Sequence, residues 1–321
     1  MTQKVAALFP GQGSQEVGMA RELYQASPAA KLVLDEAEAA LPGLLQLMWE
    51  GPAEELRLTA NQQPALVAAG VAAYSAYLEA EGAEPQLAAG HSLGEYTALV
   101  AAGSLSVGTA VQLVRKRGEY MQEAVPEGEG AMAAVLKLSE QDIREVLAAL
   151  PVGPEEPGSV LVAIANLNAP GQTVVSGTAR GVARATEALK ARGGRVIPLK
   201  VSAPFHSPLM LPAANRLAVD LAEVSFGEPL ITVVSNVTAE PIAEAAAAER
   251  LLVEQVTAPV RWVECVEKLH ALGATRFVEF GSGKVLTGLL ERILPGALGM
   301  AVTDSESLAA AVAPVGEEAA G

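Results

Sequence analysis

The stretch LAAGHSLGEYTALVAAG, residues 87–103, sets Ser92 between Gly90 and Gly94, after a short apolar run and before a longer one. The first run, QLAAGHS, reads as a strand and the second, GEYTALVAAG, as a helix. In that context Gly-x-Ser-x-Gly is a nucleophile elbow, a strand-to-helix turn that strains the serine backbone and leaves no room for side chains at the flanking positions. The glycines then serve as steric clearance for an exposed hydroxyl. An elbow also places the serine at a helix N-terminus, where free backbone N–H groups and the helix dipole favour a developing oxyanion, with the Leu93 N–H as the natural first donor. Without the strand and the helix, the five residues would be read as an ordinary glycine-rich helix cap.

Outward from the elbow, VAALF and the Gly11 loop precede a helical segment at 22–41 and an apolar helix at 65–78, so strands alternate with helices. That alternation predicts a mainly parallel α/β sheet, hydrolase-like in class. Residues 128–201 have a different rhythm. AMAAVLKL, SEQDIREVLAAL with a serine cap, SVLVAIANL, QTVVSG after the turn NAPG, ARGVARATEALKARG and RVIPLKV give the order β-α-β-β-α-β. This is a ferredoxin-like α+β subdomain inserted into the first unit. The chain then continues through SAPFHSP, a helix at 208–224, the strand LITVVSN, two helices, the strand RFVEF and GSGKVLTGLL. The predicted organisation is a discontinuous α/β domain at 1–127 and 202–310, the insertion at 128–201, and a flexible, unpacked tail at 311–321 that begins within the alanine-rich LAAAVAPVGEEAAG.

Bulk properties narrow the function. A net charge of −15 over 321 residues argues against a protein that grips nucleic acid. Half of the residues are apolar with only 4% aromatic, as expected of alanine-rich helices packed on a sheet. The lone Cys265 excludes an internal disulfide framework, and three scattered histidines offer no metal quartet. The N-terminal MTQKVAALFPGQGSQ does not read as a signal peptide, and no apolar run approaches the roughly 20 residues that span a bilayer. A cytoplasmic protein with no membrane contact is expected.

A serine nucleophile needs a base, and the candidates are His91, His206 and His270. His91 adjoins Ser92 and by strand alternation points to the other side; His270 lies at helical spacing in WVECVEKLHALG. His206 remains, in a loop pinned by Pro204 and Pro208. Asp142, on the polar face of its helix, is the only aspartate between Ser92 and His206, and no acid stands at an evident strand end. A Ser/His dyad with the ring oriented by a carbonyl or amide is the simpler arrangement.

Eight motifs in chain order now resemble one family, the malonyl-CoA:acyl carrier protein transacylases and the related acyltransferase domains of polyketide synthases: FPGQGSQ (9–15), NQQPAL (61–66), GHSLGEY (90–96), LVRKRGEYMQ (113–122), ANLNAPGQTVVSG (165–177), APFHSP (203–208), VEQVTAPVRW (253–262) and FGSGKVLTGL (280–289). The resemblance implies a ping-pong transfer in fatty acid biosynthesis, in which Ser92 attacks the malonyl thioester with His206 as base, and the phosphopantetheine thiol of acyl carrier protein then takes the malonyl group. It implies an oxyanion hole from the backbone N–H groups of Gln12 and Leu93, a malonyl carboxylate paired with Arg117, and a Gln255 backbone carbonyl that orients the histidine. Gln63, Asn166 and Asn168 match polar residues near the family's acyl pocket, and Phe205 matches its malonyl-selective form. Arg115 and Lys116 read as solvated charges. Two positions depart from the pattern: Ser282 where proline is common, and Lys137 where glycine is usual.

The partners expected are malonyl-CoA and acyl carrier protein, with no metal or resident cofactor, for a monomer. Lys190, Arg192, Arg195 and Lys200 form the richest basic candidate for carrier docking. A discrete polyketide-pathway acyltransferase is the alternative within the same chemistry. A serine thioesterase or esterase is disfavoured by Arg117 and the missing acid, and a noncatalytic scaffold by the intact serine, histidine and arginine.

Overall fold

The computed structural model describes residues 4–150, 161–201 and 203–313. Strand β1 (Lys4–Phe9) is apolar at every position after Lys4, because both of its faces are covered. Val5, Ala7 and Phe9 pack into one core, while Ala6 and Leu8 pack into another on the opposite face. With β2 (Leu87–Gly90), β7 (Thr232–Val234), β8 (Ala274–Phe280) and β9 (Leu298–Val302), β1 forms a sheet of order β7-β2-β1-β8-β9 in which every pairing is parallel. The β1–β2 register sets Phe9 beside Gly90. The loop that carries Gln12 and the elbow that carries Ser92 therefore leave the same carboxyl edge of the sheet, the place where α/β folds bind ligands.

The second sheet is antiparallel, built from β3 (Gly130–Leu136), β4 (Val162–Ala169), β5 (Gln172–Thr178) and β6 (Arg195–Pro198) in the order β4-β5-β3-β6. Helices Glu140–Ala148 and Ala179–Ala191, capped by Ser139 and Thr178, pack on it around Val135, Ile143, Val175 and Leu189. This is the ferredoxin-like order. Its edge strand β4 is tied to the rest of the molecule, since Val260 N donates to Ala165 O at 2.8 Å and Leu167 N to Val260 O at 2.9 Å. Lys137 has φ 70°, the left-handed region, which accounts for glycine being the usual residue there in the family it resembles.

Several sequence expectations are corrected. The helix expected at 22–41 is two, Arg21–Ala26 and Pro28–Ala40, because Pro28 disfavours helical backbone at Ser27, whose hydroxyl accepts from Ala30 N instead. The helix expected at 65–78 runs over Thr59–Glu79, which carries Gln63 into its second turn. The strand within 230–236 covers only Thr232–Val234. Residues 311 and 312, placed in an unpacked tail, belong to helix Ser305–Val312: a capping box between Asp304 and Ser307 starts it, Ala311 is fully buried, and an Arg276 N–H donates to Ala311 O. The remainder of the tail, 314–321, and residues 159–160 of the strand expected before β4 lie outside the described residues.

Candidate active site

The elbow is built by exclusion. Ser92 has φ 51°, a conformation that L-residues adopt at a cost, and the chain around it is too tight for side chains. A Cβ on Gly90 would lie 1.8 Å from the Gly94 carbonyl carbon, and one on Gly94 would lie 2.1 Å from Phe9 O. Asn236, just past β7, clasps the strained turn: its Oδ1 accepts from Ser92 N at 2.6 Å and its Nδ2 donates to Gly90 O at 2.7 Å. Leu93 follows at the mouth of helix Gly94–Ala101, where backbone N–H groups lack intrahelical acceptors.

Ser92 Oγ lies 2.8 Å from His206 Nε2. The other ring nitrogen, Nδ1, faces two main-chain carbonyls, Gln255 O at 2.9 Å and Ala258 O at 3.1 Å. Carbonyls only accept, so Nδ1 carries the proton and Nε2 presents its lone pair to the serine hydroxyl. Burial, reinforced by the positive charge of Arg117, pushes the His206 pKa down to about 3, so the resting ring is neutral. Among the described residues, no carboxylate hydrogen-bonds to it. Asp142 instead pairs with Arg192 on the surface of the antiparallel sheet's helices.

The other histidines are engaged elsewhere. His91 lies beyond the last residue of β2, so strand alternation does not govern it, and it lines the same cleft as Ser92 instead of pointing away. Its Nε2 lies 2.8 Å from Asn168 Oδ1 and its ring 5.5 Å from that of Trp262. His270 is exposed, with Nδ1 3.1 Å from Ala274 O.

Arg117 is 1% exposed and sits at the centre of the polar network. Its Nη2 donates to Ser92 Oγ at 3.0 Å and to Gln255 Oε1 at 3.1 Å, and its Nη1 donates to Gln63 Oε1 at 2.8 Å. The helix that carries it, Val107–Glu123, approaches helix Thr59–Glu79 closely at Gly118, where a Cβ would lie 2.6 Å from Ala60 Cα. Burial lowers the guanidinium pKa, yet an arginine stays cationic in proteins. Its neighbours on the helix are spoken for at the surface: Arg115 pairs with Glu119, and Lys116 with Asp220. Gln63 Nε2 donates to Gln12 Oε1 at 3.4 Å, linking the arginine to the loop after β1.

These groups open into a cleft of about 930 Å³ whose wall includes Gln12, Ser92, His206, Phe205, Asn166 and Asn168, with Arg57 and Lys200 also lining it. The structure thus brings together Ser92, His206, Arg117, Gln63 and Gln255 in direct contact, and Gln12, Asn166 and Phe205 around them. A buried polarised serine beside a neutral imidazole and a fixed cation suits acyl transfer with an anionic acyl group. Among the described residues, no group of three or more His, Cys, Asp or Glu could hold a metal, and no helix is long and apolar enough to cross a membrane.

The acyl transferase domain family matches residues 7–307. The chain belongs to the acyl transferase family. Over 98% of its length it is 49% identical to the malonyl CoA-acyl carrier protein transacylase of Bacillus subtilis, of which it covers 98%. A solved structure of the malonyl CoA-acyl carrier protein transacylase from Coxiella burnetii superposes with a TM-score of 0.92 at 41% identity, covering 97% of each chain. Another, a malonyl-transacylase in complex with a type II polyketide synthase acyl-carrier protein, gives 0.91 at 43% identity, covering 97% of this chain and 99% of that one. In this acyltransferase, two polar residues of the site escaped sequence reading. Asn236 lies just past β7 and Glu95 sits inside GHSLGEY, and only the folded neighbourhood shows either one buried. The signal available in the sequence was a polar residue at a strand end and a carboxylate one position past an elbow glycine.

Proposed function

We propose that the protein transfers the malonyl group from malonyl-CoA to the phosphopantetheine thiol of acyl carrier protein, through a malonyl ester on Ser92, in fatty acid biosynthesis. The buried Arg117 guanidinium, 3.0 Å from Ser92 Oγ, carries the reading. A fixed cation beside a nucleophile selects an acyl group that ends in a carboxylate, because burial of an unpaired carboxylate is costly and a planar guanidinium offsets it through paired hydrogen bonds.

In the first half-reaction, Ser92 Oγ attacks the thioester carbonyl while His206 Nε2 takes its proton. The carbonyl oxygen becomes an oxyanion held by the backbone N–H groups of Leu93 and Gln12. Collapse of the tetrahedral intermediate breaks the carbon–sulfur bond, and the proton on His206 passes to the departing coenzyme A sulfur. In the second half-reaction the carrier thiol gives its proton to His206, its sulfur attacks the malonyl ester, and the proton returns to Ser92 Oγ. Nδ1–H remains bound to the Gln255 and Ala258 carbonyls throughout, which keeps the ring in one tautomer.

The test is incubation with radiolabelled malonyl-CoA, followed by carrier protein. The wild-type protein should take up one malonyl unit and release it to the carrier, Ser92→Ala should take up none, and Arg117→Ala should lose malonyl loading far more than acetyl loading. Label that reaches water instead of the carrier would indicate a thioesterase. Equal losses on both acyl groups would leave Arg117 without a role in selection. The complex with a polyketide synthase carrier among the similar structures favours a second reading in which the chemistry is unchanged and the carrier differs; turnover with carriers of both kinds distinguishes them.

A further inference from the structure

Glu95 is fully buried beneath the elbow, and no step of the acyl transfer uses it. Its Oε2 accepts from Gln255 Nε2 at 2.8 Å and from Asn236 N at 2.9 Å. The same Gln255 Nε2 donates to Ser92 O at 3.1 Å, and the Gln255 Oε1 accepts from Arg117 Nη2 at 3.1 Å. Three groups thus meet around one side-chain amide, and their polarity decides which way round it sits.

We propose that Glu95 is a positioning residue: as a group that only accepts, it fixes the orientation of the Gln255 amide, and through that amide the direction in which Arg117 presents its guanidinium to the acyl group. The inference rests on the reading of malonyl as substrate. A glutamine amide has a donating and an accepting end, and a half-turn exchanges them. The carboxylate and the Ser92 carbonyl both require the NH₂ end, while Arg117, which has only donors, requires the oxygen. Were the amide reversed, NH₂ would face guanidinium, and Arg117 would keep Gln63 as its one side-chain amide acceptor. After Ser92 is acylated, its oxygen is an ester oxygen and a poorer partner, so the two glutamines are what hold the arginine toward the malonyl carboxylate. A glutamine at position 95 would be able to donate as well as accept, and the orientation would no longer be enforced from that side. The His206 ring is held by the main-chain carbonyl of Gln255 and by Ala258, so the loss should fall on acyl groups with a carboxylate.

The charge at Glu95 follows the same line. The titratable groups that face it are Tyr96 on its own helix, Arg117 on helix Val107–Glu123 and Cys265 on helix Trp262–Ala271. Burial pushes Tyr96 up to about 12 and Cys265 upward as well, and Arg117 stays cationic. Burial also pushes Glu95 up to about 7, so it is the member of this group that changes charge near neutrality.

The experiment compares acylation of Ser92 from malonyl-CoA and from acetyl-CoA in the wild type, Glu95→Gln, Gln255→Leu and the double variant. Glu95→Gln should lower the malonyl-to-acetyl ratio of kcat/KM about tenfold, as expected for one hydrogen bond to a charged group, mostly through KM for malonyl-CoA. Gln255→Leu should lower it comparably, and the double variant should be no worse than Gln255→Leu. A merely structural Glu95 would depress both acyl groups together and add to Gln255→Leu; either result overturns the proposal. Should Glu95→Gln fail to fold, the wild type supplies the second test, since its malonyl preference should decline as pH falls through neutrality. A flat ratio there overturns the proposal too. A wild-type protein with no malonyl preference at any pH defeats the substrate reading itself, and this inference with it.

Discussion

His206 shows how one environment sets both a catalytic state and a stability. Its pKa lies at about 3 against an ordinary 6.5, first because the ring is buried and then because Arg117 is near. The folded protein therefore holds a neutral imidazole at pH values where the unfolded chain holds a protonated one. The sign follows: the contribution is fully present above 6.5 and is lost as pH falls toward about 3, a span worth of order 5 kcal/mol at 1.4 kcal/mol per unit. Glu95 works in the opposite sense, since its raised pKa favours the folded state as it takes up a proton. Comparison of wild type with His206→Gln isolates the histidine: the variant should lose less stability on acidification, read as a smaller fall in urea midpoint, while its malonyl loading drops roughly 10²- to 10⁴-fold. Parallel midpoints across the pH range would show that burial does not hold the ring neutral. The pairing of this residue with Ser92, 2.8 Å apart in the structure, was legible from sequence, because it was the one of three histidines placed in a loop. The Glu95–Gln255–Arg117 chain was not legible, because positions 95, 117 and 255 meet only when three helices converge on the sheet edge.

At the scale of elements, the elbow glycines were readable because their requirement is local: strand, tight turn, helix. Overlap of the missing Cβ atoms makes the requirement quantitative. Gly94→Ala should displace the elbow from the end of β1, lowering stability by about 1–3 kcal/mol, the usual range for overpacking, and abolishing most Ser92 labelling. Gly288 is the control. It lies inside helix Val285–Ile293 with open space where its Cβ would stand, so Gly288→Ala should raise stability by about 0.5–1 kcal/mol and leave labelling unchanged. Equal thermal midpoints for the two variants would refute the steric account. Where the sequence misled, the cause was again local chemistry read too coarsely. Ser27-Pro28 breaks a helix that apolar periodicity runs through, and Asp304 with Ser307 starts one in a segment dismissed for its composition.

For the whole molecule the question is how a protein of net charge −15 would receive a carrier that is itself acidic, as the resemblance to the transacylase family implies. A net charge of −15 repels a partner of the same sign, so any guidance must come from a local field. Of the four cations singled out in sequence, Arg192 is already neutralised, with Nη2 at 2.9 Å from both Asp142 and Glu145. Lys190 and Arg195 are exposed, and Lys200 is exposed while lining the cleft that holds Ser92. Strand β6 is the free edge of the antiparallel sheet, and the chain runs from Arg195 along it and onward to Lys200 at the cleft. Beside that cation, Ile197, Leu199 and Val201 are 38%, 37% and 42% exposed, an alternate row of apolar side chains. Leu199, Lys200 and Val201 line the cleft itself, so a carrier that delivers its arm there would meet them. Lys200→Glu should therefore raise the apparent KM for carrier protein several-fold at low salt and weaken its salt dependence. Lys190→Glu should do so less, and Arg192→Glu least, because its charge is spent within the chain. Steady-state transfer rates at two ionic strengths check the order, with the malonyl-CoA half-reaction measured separately to exclude an effect on coenzyme A. If Lys200→Glu leaves carrier kinetics unchanged at low salt, docking does not use this strip, and Arg57, the other cation lining the cleft, is the next to reverse.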